Sequence, residues 1–155
     1  MKDQRFYTFL HRQIPIMLGL SLLPGLGYVF LGWLHGIQTP TLIWYGLVIA
    51  TSVWGYRLYR GFHYEQMNQK QIARWYQQLS VFFYLFFLLW TLIFLIYVLE
   101  QEYKLHYVAI FTQIGSSVVA SALLSSDRRL YAPTITILMV PLIIYFFNIG
   151  EWYGY

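Results

Sequence analysis

From Leu79 to Leu99 the chain reads LSVFFYLFFLLWTLIFLIYVL, without one charged residue. About 20 apolar residues in a helix match the hydrocarbon thickness of a bilayer. In lipid each backbone N–H and C=O must be paired inside the protein, so a helix is the form such a run takes. Four further runs follow the same logic, at about 14–33, 41–56, 105–124 and 132–149. The expected fold is therefore all-α, a polytopic transmembrane helical bundle of five spans in a single domain covering 1–155. Charged residues make up 10% of the sequence, against about 25% in a soluble domain. Aromatic residues make up 21%, and such rings suit the headgroup level. The first apolar run continues to Trp33 with no small-x-small cleavage site, which reads as an uncleaved first span rather than a signal peptide.

Charge placement sets the expected orientation. The N-terminal tail holds Lys2, Arg5 and Arg12, the loop after the second span holds Arg57, Arg60, Lys70 and Arg74, and the loop after the fourth holds Arg128 and Arg129. Five spans put all of these on one face and leave Lys104 alone on the other, with Glu100, Glu102 and Glu151. Nine of the ten basic residues then mark the cytoplasmic side. The expected location is the bacterial inner membrane, with the N-terminus cytoplasmic and the C-terminus outside. A sensor that reports to the cytosol needs one more crossing. The chain is thus expected to be a fragment whose next span and output domain follow Tyr155, the alternative being a complete five-span protein.

Several function classes fall away at this stage. There is no cysteine, hence no disulfide or thiolate chemistry. No basic stripe with stacking aromatics points to nucleic acid. The sequence has no HExxH, GxSxG or Walker loop and no carboxylate pair inside an apolar run, so no active site is expected in this chain. No Asp, Glu, Lys or Arg lies mid-span, which disfavours a proton-coupled transporter. His35 and His106 both fall at the outer face, a placement open to a metal or haem clamp or to ordinary interfacial residues. No cofactor is expected.

The fourth run, LHYVAIFTQIGSSVVASALL, carries unusual polarity. Thr112, Ser116 and Ala120 recur every four residues, as do Ser117, Ser121 and Ser125. Small residues at this spacing let helix backbones approach closely, so Ser117 and Ser121 are expected to face other helices. Hydroxyls also bond back to their own helix. Gln113 needs a partner inside the bundle, either another helix or a ligand. The LPGLG stretch of the first run, with Pro24, Gly25 and Gly27, reads as a kink or a hinge. In the loop RLYRGFHYEQMNQKQIARWYQQL, Ile72, Trp75, Tyr76 and Leu79 share a helical face, so the third helix should begin before its apolar run. His11 and His63 are expected to be solvent-exposed.

The segments RWYQQLSVFFYLFFLLW, LHYVAIFTQIGSSVVASALLSSDRRLYAP and LMVPLIIYFFNIGEWYGY resemble the N-terminal multi-span membrane sensor region of bacterial diguanylate cyclases, the GGDEF-domain signalling proteins. That resemblance covers residues 74–155. It implies a sensory module, acting as a homodimer, that regulates a cytoplasmic domain making cyclic di-GMP. No GGDEF motif is present in this chain, and no catalytic residue carries over. The expected function is a membrane-embedded input module. The alternatives are a small transporter or channel-like bundle, or a plain membrane anchor. The expected partners are the lipid bilayer, a second copy and a small hydrophobic ligand. If the first, fourth and fifth helices are neighbours, His35, His106, Gln113, Glu151 and Trp152 frame an outward-facing ligand site, apolar below and polar at its rim.

Overall fold

A computed structural model describes residues 4–152, with side chains described through Asn148. Among the described residues the fold is all-helical: α1 (Gln4–Leu34), α2 (Gln38–Arg60), a single 3-10 turn (Tyr64–Gln66), α3 (Gln69–Val98), α4 (Tyr103–Leu124) and α5 (Arg128–Trp152). Four helices, α1, α3, α4 and α5, are long and apolar enough to cross a membrane. The exception is α2, which contains the run expected as the second span. Its threonines, serine and glycines dilute the hydrophobicity below that of the others. The count of five spans therefore reduces here to four qualifying helices and a fifth, less apolar one.

The chain divides into two compact units, Met1–Phe86 and Phe87–Tyr155, with the boundary inside α3. In the first unit α1 and α2 form an antiparallel pair. The turn between them is closed at Gly36, whose φ of 76° lies in the left-handed region. There Ile37 N donates to Gly32 O at 2.9 Å and Gly36 N to Trp33 O at 3.4 Å, the two bonds of a Schellman close. Along the pair, contacts between Gly32 and Thr41, Leu22 and Tyr45, and His11 and Tyr59 mark three successive levels. A Cβ on Gly32 would stand 2.5 Å from Thr41 Oγ1, and one on Gly25 would stand 2.6 Å from the Tyr45 ring. The glycines are what let these helices touch. Further along the buried stripe of α2, a Cβ on Gly55 would stand 2.5 Å from the Phe82 ring of α3.

Both α1 and α3 begin earlier than their apolar runs, at Gln4 and Gln69. The extra turns are held by packing at one end of the unit. Leu10, Phe62 and Trp75 are buried there, and the Phe62 and Trp75 rings lie 4.1 Å apart. Asn68 and Gln71 cap α3 reciprocally: Gln71 N donates to Asn68 Oδ1 at 2.9 Å, and Asn68 N to Gln71 Oε1 at 3.0 Å. The last carbonyls of α2 lack intrahelical partners, and side chains supply them. Trp75 Nε1 donates to Leu58 O at 3.0 Å, and His11 Nε2 donates to Tyr59 O at 2.7 Å. His11 is thus not the exposed residue its loop position suggests. It is half-buried and stacked on Tyr59 with ring centroids 4.3 Å apart, while His63 is exposed.

In the second unit the end of α3 packs with α4 and α5. The buried face of α4 is Leu105, Ala109, Gln113, Ser117, Ala120 and Leu124. That of α5 repeats every four residues, at Leu130, Thr134, Leu138 and Leu142. Asp127, 5% exposed, caps α5 by accepting from Arg129 N at 3.1 Å.

Among the described residues many large apolar side chains are exposed, while several polar ones are buried within an apolar core. Leu23, Phe30, Ile43, Leu47, Phe111 and Phe147 are exposed, whereas Ser21, Thr41, Ser52, Thr91, Gln113 and Thr134 are buried. Bilayer lipid, not water, is the solvent that such a surface matches.

Candidate functional site: a polar tie at a proline turn in α5

Pro141 sits inside α5. It has no N–H to give to the carbonyl of Ile137, four residues earlier, and its ring strains the preceding turn. Two side chains reach that turn from neighbouring helices. Thr91 Oγ1 of α3 donates to Ile137 O at 3.4 Å. Gln113 Nε2 of α4 donates to Leu138 O at 2.7 Å and to Thr91 Oγ1 at 3.2 Å. Three helices therefore meet at one polar node, and that node lies on the backbone segment the proline disturbs. Gln113 is completely buried.

The node is only partly satisfied. Gln113 Oε1 is buried with no hydrogen-bond partner, and so is Thr134 Oγ1, one turn before Leu138 on the same buried face of α5. A buried polar group left unpaired costs about 1–3 kcal/mol. Here an acceptor on α4 and a donor on α5 are both left over.

Ser117 lies next on the buried face of α4. Its hydroxyl bonds back to Gln113 O at 2.9 Å and sits 3.4 Å from Met139 Sδ of α5. Ser121 is half-buried, and Gly115 on the opposite side of α4 faces open space.

Near the end of the unit, His106 bridges two elements. Its Nε2 donates to the Glu100 carbonyl, and its Nδ1 pairs with the Tyr145 hydroxyl at 2.9 Å. Both ring nitrogens are thus engaged within the unit. Among the described residues no three His, Asp or Glu side chains converge as ligands. His35 is half-buried in the α1–α2 turn of the first unit. The expectation for Glu151 and Trp152 falls outside the described side chains. Of the five proposed ligand residues, Gln113 and His106 thus share α4 two turns apart, and each is already bonded within the unit. A ligand would reach Gln113 only if helices parted.

Thr91 and Pro141 escaped the sequence reading. Thr91 is an isolated hydroxyl in the apolar run of α3, and Pro141 implies an orphan carbonyl at position 137. Their pairing becomes visible only when the helices are neighbours.

Comparison of the chain with protein-family models, with curated proteins and with solved structures finds no match. Fold and composition define the class: an all-helical membrane protein whose internal polar chemistry ties helices together.

Proposed function

We propose that the chain is the membrane-embedded input module of a bacterial signalling protein, with α5 as its moving element. The observation that carries this reading is the pair of leftover groups at the node. Sliding α5 by one helical turn, about 5.4 Å, brings Thr134 to the place of Leu138 opposite Gln113. The unpartnered hydroxyl then donates to the unpartnered Oε1. One-turn ratchets between packed elements are a known form of two-state switch. The node thus offers two registers with different bonds satisfied, and a stimulus acts by favouring one of them. A small hydrophobic molecule or a lipid state that alters the packing around α5 would suffice.

The resemblance of residues 74–155 to diguanylate cyclase sensor regions supplies the output: regulation of cyclic di-GMP synthesis, by a homodimer in the inner membrane. Two features support five spans with the N-terminus inside. The basic residues are asymmetric, and α2 lies against α1 at three levels with Leu42, Ile43, Leu47, Ile49 and Val53 turned outward.

The test is cellular. Thr134→Val removes a bond available only in the shifted register, whereas Gln113→Leu removes the bonds of both. In the native host, Thr134→Val is expected to move the cyclic di-GMP level by about fivefold or more, the usual scale of a coupling between two states, with membrane abundance unchanged. An unaltered level in both variants at normal abundance removes the signalling reading and leaves a plain anchor.

A further inference from the structure

At the end of the first unit a cleft of about 360 Å³ opens between the last turn of α2 and the first turns of α3. Trp54, Arg57, Gln71, Arg74, Trp75 and Gln78 line it. Leu58, Gly61 and Met67 complete its walls, and no carboxylate lines it. Arg57 and Arg74 are both exposed, and no ion pair engages either among the described residues. Trp75 Nε1 is already committed to Leu58 O, so the cleft offers the two guanidinium forks and the side-chain amides as donors. Two arginines lining one cleft carry the fork-shaped donor sets that suit a phosphate.

The surface leading away from the cleft identifies the source of that phosphate. On α3, Arg74, Gln78, Val81 and Leu85 follow one helical stripe, and all are exposed. On α2, Arg57, Val53 and Ile49 do the same in the opposite chain direction. Each arginine therefore heads a strip of exposed apolar side chains running into the bilayer-crossing part of the unit. A free phosphate has no use for such strips. A phospholipid does, since its acyl chains lie along them while its headgroup enters the cleft.

We propose that this cleft is a binding site for the headgroup of an anionic phospholipid, with Arg57 and Arg74 as the phosphate ligands. Basic pockets between helices at the cytoplasmic face serve this purpose in other membrane proteins. The site requires only that α3 cross the bilayer, so it stands or falls separately from the signalling reading.

The experiment is native mass spectrometry of the protein released from nanodiscs of mixed phosphatidylcholine and phosphatidylglycerol. The native chain is expected to retain phosphatidylglycerol in preference to phosphatidylcholine. Arg57→Gln with Arg74→Gln should lower that retention by about tenfold or more, since charge-assisted hydrogen bonds are lost. Arg5→Gln with Arg12→Gln, an equal change in charge away from the cleft, should leave it intact. Arg57→Lys with Arg74→Lys keeps the charge but not the forks and should retain less than the native chain; if the glutamine pair fails to insert, this pair carries the test alone. Native-level retention in the arginine variants overturns the proposal, as does equal retention of phosphatidylcholine. Displacement of the lipid by inorganic phosphate at equal occupancy would assign the cleft to a soluble anion instead and overturn the lipid source.

Discussion

In the first unit, helix ends are closed by side chains from their neighbours. His11 and Trp75 take the last carbonyls of α2, Asn68 and Gln71 cap α3, and Gly25, Gly32 and Gly55 bring backbones against side chains of the next helix. In the second unit one cluster of cross-helix polar bonds sits midway along the helices, at Thr91, Gln113 and the turn before Pro141, with two of its groups unpaired, while His106 and Tyr145 pair nearer the end. The difference is one of purpose. End caps and glycine contacts fix one arrangement, because a slide of α1 against α2 moves Thr41 and Tyr45 off Gly32 and Gly25 and against residues that carry side chains. A mid-helix node with a spare donor and a spare acceptor is the place where the proposed slide would exchange one set of hydrogen bonds for another.

The largest effect expected from this contrast is at Gly55. Gly55→Val places bulk where Phe82 already stands, and overpacking of this kind costs about 1–3 kcal/mol. The same change at Gly115, which faces open space, should be nearly silent. Thermal unfolding in detergent separates the two. Similar losses would mean that close packing does not distinguish the units.

Next comes Gln113→Leu. It strips a donor from Leu138 O and Thr91 Oγ1, but it also removes the buried, unpaired Oε1. The net loss should be about 1 kcal/mol, the typical size of a hydrogen bond between membrane helices. A loss several times larger would show that the node is a rigid structural pin, not a switch.

The smallest effect is a coupling. Thr91→Val should destabilise the native chain, yet matter less when Pro141→Ala restores an N–H for Ile137 O. A double-mutant cycle should give a coupling of about 0.5–1.5 kcal/mol. Strict additivity would break the link between Thr91 and Pro141.

Much of this architecture is legible in the sequence, for physical reasons particular to each element. Leu79–Leu99 can only be a buried or spanning helix, and the apolar runs of α1, α4 and α5 read as plainly. α2 is harder, because its Thr41, Thr51 and Ser52 weaken the apolar signal while pointing inward. That Gln113 needs an internal partner follows from its chemistry. That the partner is a carbonyl beside a proline does not, since it depends on which helices are neighbours. Thr91 shows why. Thr41, Thr51, Thr112 and Thr136 all bond back to a carbonyl four residues earlier, whereas Thr91 donates across to α5. Nothing local distinguishes these threonines. His11 is similar: a polar tail predicts exposure, and only the end of α2 gives the ring a carbonyl to hold.

The central claim is that α5 occupies two registers against α4, exchanged through Gln113 and Thr134. The absence of native cysteine makes a direct measurement simple. Tyr107 on α4 and Arg128 at the start of α5 are exposed and lie in the same unit. Spin labels on Tyr107→Cys and Arg128→Cys report their separation by pulsed electron paramagnetic resonance in nanodiscs. The account predicts two distances differing by about 5 Å, one helical turn, with Thr134→Val collapsing the distribution onto one of them. A single distance that Thr134→Val leaves unchanged would contradict it.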